Sequence, residues 1–393
     1  MKYTNTLVLS LSLTFLAAAC KTEVGESANS QIKSSAMVIG QDNRIISEYG
    51  SLDKIMSNKV GLIESTYTDD SGLEKKTRCS ASLIAKNFII TAAHCVFSSA
   101  TDNPAIENAY FIPGVKRLND IPFGRFKIKK SYLVRNYANN RQIVNDADDM
   151  AVMELESNKD GKHAGEILGY LSYWGRAEFD LGSVLTIGYP GDLRESTQYY
   201  ERDCVAHIVD NKELNLDCDI YSGQSGGPIL MFSKEHGFHY VMGVISSHGR
   251  FSNGGSFLTK ERHQIIKSII TNQFSPEKFE EQWTSIEHKH DKVIDLFIKN
   301  KCNKRIYTAY YYKNTDNEWL AVGLLPIEPK ETINVATTKN GVFYFAASIN
   351  RGETYINRKD TFRDLKDGRA YNVPMEKHSI DSWKDYTVEF GCK

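Results

Sequence analysis

The sequence lacks any charge imbalance. Lys plus Arg number 48 and Asp plus Glu 49, leaving a formal net charge of −1. No broad basic field is available to hold nucleic acid or an anionic membrane surface. No CxxC is paired with a second CxxC or with two histidines, which argues against a structural zinc site. Internal repeats and low-complexity tracts are also missing. What is present is an ordinary globular composition. The 393 residues are 41% hydrophobic and 25% charged, long enough for two or three domains of about 100–200 residues each. The 21 Tyr and 18 Phe favour strands, because flat side chains pack well on sheets.

The N-terminus reads as a leader rather than as part of a fold. In "MKYTNTLVLSLSLTFLAAAC" a lysine stands near the start, an apolar run begins at Leu7, and Ala17, Ala18 and Ala19 precede Cys20. Such a run is too short for a stable membrane-spanning helix, so residues 1–20 are expected to be a secretory signal peptide. The small residues ahead of Cys20 also resemble a bacterial lipoprotein signal, in which Cys20 would carry the lipid. Plain cleavage would leave a soluble exported chain instead. Residues 21–36 are polar and Ser-rich and are expected to be a tether.

Seven cysteines is an odd number for an exported chain. Setting Cys20 aside leaves six. In an oxidising compartment their grouping suggests Cys79–Cys95, Cys204–Cys218 and Cys302–Cys392 as disulfides, with free buried thiols as the alternative.

From residue 37 to 274 the chain consists of short apolar runs broken by Gly, Asn, Asp and Pro. "SASLIAKNFIITAAH", "MAVMELE", "SVLTIGYPG" and "VMGVISSHG" are examples. This is the pattern of an all-β barrel or sandwich. Near its end Ile265, Ile266, Ile269 and Ile270 recur at helical spacing behind Thr259, a suitable N-cap, which predicts a closing helix. Residues 275–292 are charged, with a Ser-Pro start and a Glu-rich first turn, and are expected to form either another helix or a charged connector. Their "HKH" is a poor metal site, since nothing else completes a ligand set. Strand-like runs return over residues 293–393, expected to be a small β domain resembling a sandwich. Its aromatic strands (Tyr310, Tyr311, Tyr312, Trp319, Phe343, Tyr344, Phe345) suit either core packing or an exposed binding face.

Three short motifs carry chemistry. "GQSGGP" surrounds Ser225 with glycines. A serine hydroxyl needs a neutral imidazole to take its proton and a carboxylate to hold that imidazole. It also needs N–H donors for the carbonyl oxygen that becomes negative, and the amides of Gly223 and Ser225 are placed to serve. "ITAAHC" puts His94 at the end of an apolar strand, and "DDMAVMEL" puts Asp149 directly before another. Asp146 and Asp148 lie close by as alternatives.

These motifs occur in the order His94, Asp149, Ser225, and over residues 38–270 the chain resembles a trypsin-like serine peptidase. "VIGQDNR", "IGYPGD" and "LDCDIYSGQSGGP" make it most similar to the bacterial glutamyl endopeptidase branch. The resemblance implies a double six-stranded, chymotrypsin-like β-barrel with a C-terminal helix, a Cys79–Cys95 disulfide beside His94, and peptide-bond hydrolysis without a cofactor. It implies protein or peptide substrates, and an exported, periplasmic or surface location. Digestive relatives carry Asp before the serine, to pair with a newly cut N-terminal amine. Gln224 stands there instead, so no such switch is expected. Asp219 lies at the offset of a pocket aspartate that binds Arg or Lys, with Ile220 next. His248 and Gly249 are the pocket-wall candidates for an acidic preference. A non-catalytic binding protein on the same scaffold is the alternative reading, because fold does not fix function. The C-terminal domain is expected to present the protein to a surface or a protein partner.

Overall fold

The computed structural model describes residues 38–47, 52–98, 105–116, 121–140, 146–158, 160–175, 182–194, 196–210, 212–248, 253–315, 317–350, 360–364, 371–380 and 385–392. The signal peptide, the tether, Cys20 and Gly249 lie outside them, as does the side chain of His248.

Two closed six-stranded antiparallel barrels form the larger part of the fold. The first runs in ring order Phe126–Val134, Glu107–Pro113, Val60–Thr68, Glu74–Ala85, Phe88–Thr91 and Ala151–Leu155, the last pairing back to the first. The second runs Tyr199–Ile208, Glu213–Leu216, Asn253–Phe257, Phe238–His248, Pro228–Ser233 and Ser183–Gly188, again closing on itself. Closure pairs each ring strand with two ring neighbours, and the overhanging strand ends still accept short outside strands. Apolar residues fill both interiors, Leu83, Ile89, Phe111 and Phe126 in the first and Leu214, Leu216, Ile229 and Ile245 in the second.

The closing helix is Lys260–Ile270, and Thr259 Oγ1 accepts the Arg262 N–H at 3.2 Å as its N-cap. Ile265, Ile266 and Ile269 are its buried stripe. Arg262 on the same helix is also fully buried, and its guanidinium grips the Glu281 carboxylate at 2.8–3.2 Å.

Residues 275–292 do not form the expected helix. After one 3-10 turn, Pro276–Lys278, the chain becomes strand Trp283–Glu287 and pairs antiparallel with Phe126–Val134. Trp283 is completely buried and its indole N–H donates to Glu281 at 2.9 Å. Burial of a large ring and a free strand partner outweigh the local helix signals. The histidines of "HKH" are structural: His288 lies against Ser131 Oγ at 2.7 Å, and His290 against the Ile128 carbonyl at 2.8 Å.

The C-terminal region holds a three-stranded sheet (Thr332–Thr338, Ile294–Asn300, Tyr386–Phe390) and a five-stranded one (Trp319–Ile327, Ile306–Lys313, Val342–Ser348, Tyr371–Ser379, Asp360–Asp364). Leu296, Ile298 and Val388 from the first sheet share a core with Ile306, Phe343 and Phe345 from the second. The aromatic strands divide as strand alternation requires. Tyr310, Phe343 and Phe345 point into that core, while Tyr311 stacks on the exposed Trp319 at 4.8 Å. Arg125 of the first barrel donates to Thr337 at 2.9 Å, and Lys339 pairs with Asp291 at 2.6 Å, tying this region to the barrel.

Candidate active site

His94 sits in the 3-10 turn Ala93–Val96, which follows strand Phe88–Thr91 without a break in burial. The Cys79–Cys95 disulfide fastens this turn to the adjacent strand. Asp149 follows a second 3-10 turn, Asp146–Asp148, and precedes strand Ala151–Leu155. It is fully buried, and one of its oxygens accepts the His94 backbone N–H at 2.7 Å while the other meets His94 Nδ1 at 2.7 Å. The neighbouring acids have other partners. Asp148 accepts from Asn136 Nδ2 at 2.5 Å, and Asp146 from Ser246 Oγ at 2.8 Å. Ser246 Oγ also bonds Asp149. Burial alone would push the His94 pKa down, but the Asp149 charge and hydrogen bond outweigh it and hold the imidazole above its ordinary value. Burial pushes the Asp149 pKa up, and His94 and Ser246 together bring it below the ordinary carboxylate value.

Ser225 approaches from the second barrel. Its carbonyl accepts the Ser80 N–H at 2.8 Å and lies 3.8 Å from Cys95 Sγ, beside His94. Ser80 Oγ donates to the Gly223 carbonyl at 2.7 Å and accepts the Tyr189 N–H at 3.0 Å, so one small side chain of the first barrel ties two loops of the second. Gly223 has φ +96°, and a Cβ there would sit 2.5 Å from the Tyr189 carbonyl oxygen. Gly226 has φ +78°, and a Cβ would meet Thr91 Oγ1 at 1.9 Å. Only glycine meets both demands. Among the described residues the N–H groups of Gly223 and Ser225 have no backbone acceptor, while those of Gln224, Gly226 and Gly227 do.

The model of the trypsin family matches residues 64–266. The chain belongs to the trypsin family. Among curated relatives, a glutamyl endopeptidase of Bacillus licheniformis is 25% identical over 195 residues, covering 49% of this chain and 58% of that protein. A glutamyl endopeptidase of Staphylococcus aureus is 22% identical over 193 residues, covering 49% and 53%. The chain thus spans less than two thirds of these relatives' length. A solved Glu endopeptidase in complex with MPD has 21% identity and a TM-score of 0.48, covering 60% of this chain and all of that one. The chain thus has the trypsin-family fold, is related by sequence to the bacterial glutamyl endopeptidases, and carries an extra C-terminal β domain.

Within this trypsin-family fold the pocket residues fall differently from expectation. Asp219 is buried and spends both oxygens on backbone: one accepts the Ile39 N–H and the other the Asn43 N–H, each at 2.7 Å. It anchors the N-terminal segment. Ile220 is a buried member of the second barrel's core. His248 ends strand Phe238–His248, paired with Asn253. The three disulfides connect Cys79 to Cys95, Cys204 to Cys218 and Cys302 to Cys392. Those first two pairs supply the described His/Cys/Asp clusters of metal-ligand size, and their sulfurs are already bonded to each other. Sequence reasoning gave no role to Ser80, Ser246, Arg44 and Asp192, although Arg44 and Asp192 close the quoted motifs "VIGQDNR" and "IGYPGD", and each gains its partners only by folding.

Proposed function

We propose that this chain is a serine endopeptidase that works through His94, Asp149 and Ser225. The observation that carries the reading is the 2.7 Å bond between His94 Nδ1 and a fully buried Asp149, on the barrel facing the Ser225 loop. In the proposed cycle neutral His94 takes the Ser225 proton as Oγ attacks the scissile carbonyl. Asp149 stabilises the resulting imidazolium and holds its tautomer. The Gly223 and Ser225 amides receive the developing oxyanion, His94 protonates the leaving amine, and water then hydrolyses the acyl-enzyme.

The engagement of both Asp219 oxygens by backbone supports a preference other than Arg or Lys. We read the chain as sharing the acidic preference stated in its relatives' name. The disulfides suit an exported protein, and in this reading Cys20 carries a lipid while the C-terminal domain presents the peptidase to a surface or a partner. The test is labelling by a fluorophosphonate probe. Wild type is expected to label and Ser225→Ala to remain unlabelled. A wild type that fails to label would leave the non-catalytic binding reading in its place.

A further inference from the structure

Three segments distant in sequence meet behind the Ser225 loop at one side chain. Arg44 comes from the N-terminal segment, and its guanidinium is 1% exposed. Nε and Nη2 donate to the two oxygens of Asp42 at 2.9 and 2.8 Å. Nη1 and Nη2 donate to the two oxygens of Asp192 at 3.0 and 2.6 Å. Nη1 also donates to Gln224 Oε1 at 3.2 Å. Gln224, one residue before Ser225, is itself 1% exposed, and its Oε1 takes the Tyr221 N–H at 2.8 Å as well.

These partners are the two walls of the Gly223 turn. Asp192 closes the loop whose Tyr189 carbonyl presses against Gly223 and whose Gly191 N–H donates to the Ser222 carbonyl at 2.8 Å. Gln224 closes the turn from the other side, its N–H bonded to the Tyr221 carbonyl at 3.0 Å. A bidentate guanidinium fixes direction as well as distance, and hydrogen bonds to charged groups are the strong ones. The segment carrying Arg44 is held independently. Asp219 takes its amides at residues 39 and 43, Ile45–Ile46 pairs with Tyr199–Tyr200, and Ser47 N–H donates to the Gln198 carbonyl at 3.0 Å.

We propose that Arg44 is a positioning residue that locks the Gly223–Ser225 turn in its donor-ready shape, an internal cation doing what a newly cut N-terminal amine does in digestive relatives. The inference rests on the peptidase reading above. The lock is closed by folding alone, because the guanidinium is permanently charged and needs no cleavage to create it.

The test compares Arg44→Met, Arg44→Ala and Gln224→Met in the full chain. Gln224→Met leaves all four Arg44–carboxylate bonds in place but also removes the acceptor of the Tyr221 N–H, whereas Arg44→Met keeps that acceptor, so the two variants together separate the Arg44 contact from the turn's own bond. Acylation by the fluorophosphonate probe is expected to fall about 10- to 100-fold in Gln224→Met, with peptide KM nearly unchanged. Methylguanidine should restore part of the rate to Arg44→Ala, which a general packing role would not do. Amide hydrogen exchange over residues 221–226 should accelerate in Gln224→Met while the barrel strands stay protected. Wild-type acylation and wild-type protection in Gln224→Met overturn the proposal. If wild type itself does not label, the peptidase reading falls, and the same exchange measurement on Arg44→Met still decides whether Arg44 holds the turn.

Discussion

Two buried aspartates, Asp149 and Asp219, receive nearly the same treatment and end with opposite uses. Each has lost contact with solvent and each has both oxygens engaged. Asp149 divides its oxygens between the backbone and the ring of one residue, His94, so its charge reaches a group that changes protonation. Asp219 gives both to backbone amides of a segment 176 and 180 residues away. It organises chain and meets no titrating side chain through those oxygens. A carboxylate's role is set by what its second oxygen faces, which the identity of the residue does not reveal.

The sharpest way to break the comparison is to neutralise each carboxylate in turn. Asp149→Asn is expected to lower kcat by about 10⁴-fold, since the amide favours the wrong imidazole tautomer. Burst-phase kinetics with an ester substrate measures this. Asp219→Asn should instead cost about 2–3 kcal/mol of stability by opposing one amide donor with another. Urea unfolding measures it, and the ratio of cleavage after Glu to cleavage after Lys should hold steady. A shift in that ratio would return Asp219 to the substrate pocket.

A third carboxylate sharpens the contrast. Glu201 accepts the Asp219 N–H at 2.6 Å, and burial pushes its pKa up to about 7, with the nearby Asp219, Asp217 and Asp42 charges adding to the rise. A carboxyl raised above its unfolded value favours the fold while protonated, and that contribution is lost as pH climbs from about 4.5 to 7. Glu201→Gln should therefore stabilise the protein by about 2 kcal/mol at pH 8 and change little at pH 4, as read from denaturation midpoints. The smallest effect concerns His94. Its raised pKa places the acid limb of kcat/KM above pH 6.5, with activity falling as His94 gains its proton. A limb below that value would mean that Asp149 does not hold the imidazolium.

The barrels, the closing helix and the spacing of the cysteines were legible because they rest on local patterns. Apolar runs of strand length, isoleucines at helical spacing and a Thr cap can all be read within a dozen residues. Asp149 was legible for the same reason, standing directly before "MAV". The residues that went unread act at long range. Ser80 reaches Gly223 across 143 positions and Arg44 reaches Gln224 across 180. The offset of Asp219 from Ser225 suits a pocket, while its observed partners lie at the other end of the domain and could not be read from that offset. The strand Trp283–Glu287 was hidden by a Ser-Pro start and a run of glutamates that resemble a helix opening. Its place is set by the indole slot and by Arg262, whose buried charge needs Glu281. A fragment ending at residue 274 would lack both, so the foldable peptidase unit extends past Trp283.

The Cys302–Cys392 bridge joins positions 90 residues apart and encloses nearly all of the C-terminal domain. A peptide bond cut anywhere inside that span leaves both pieces on one covalent molecule. Under the proposed peptidase reading, the bridge turns a stray cut in this domain from amputation into a nick.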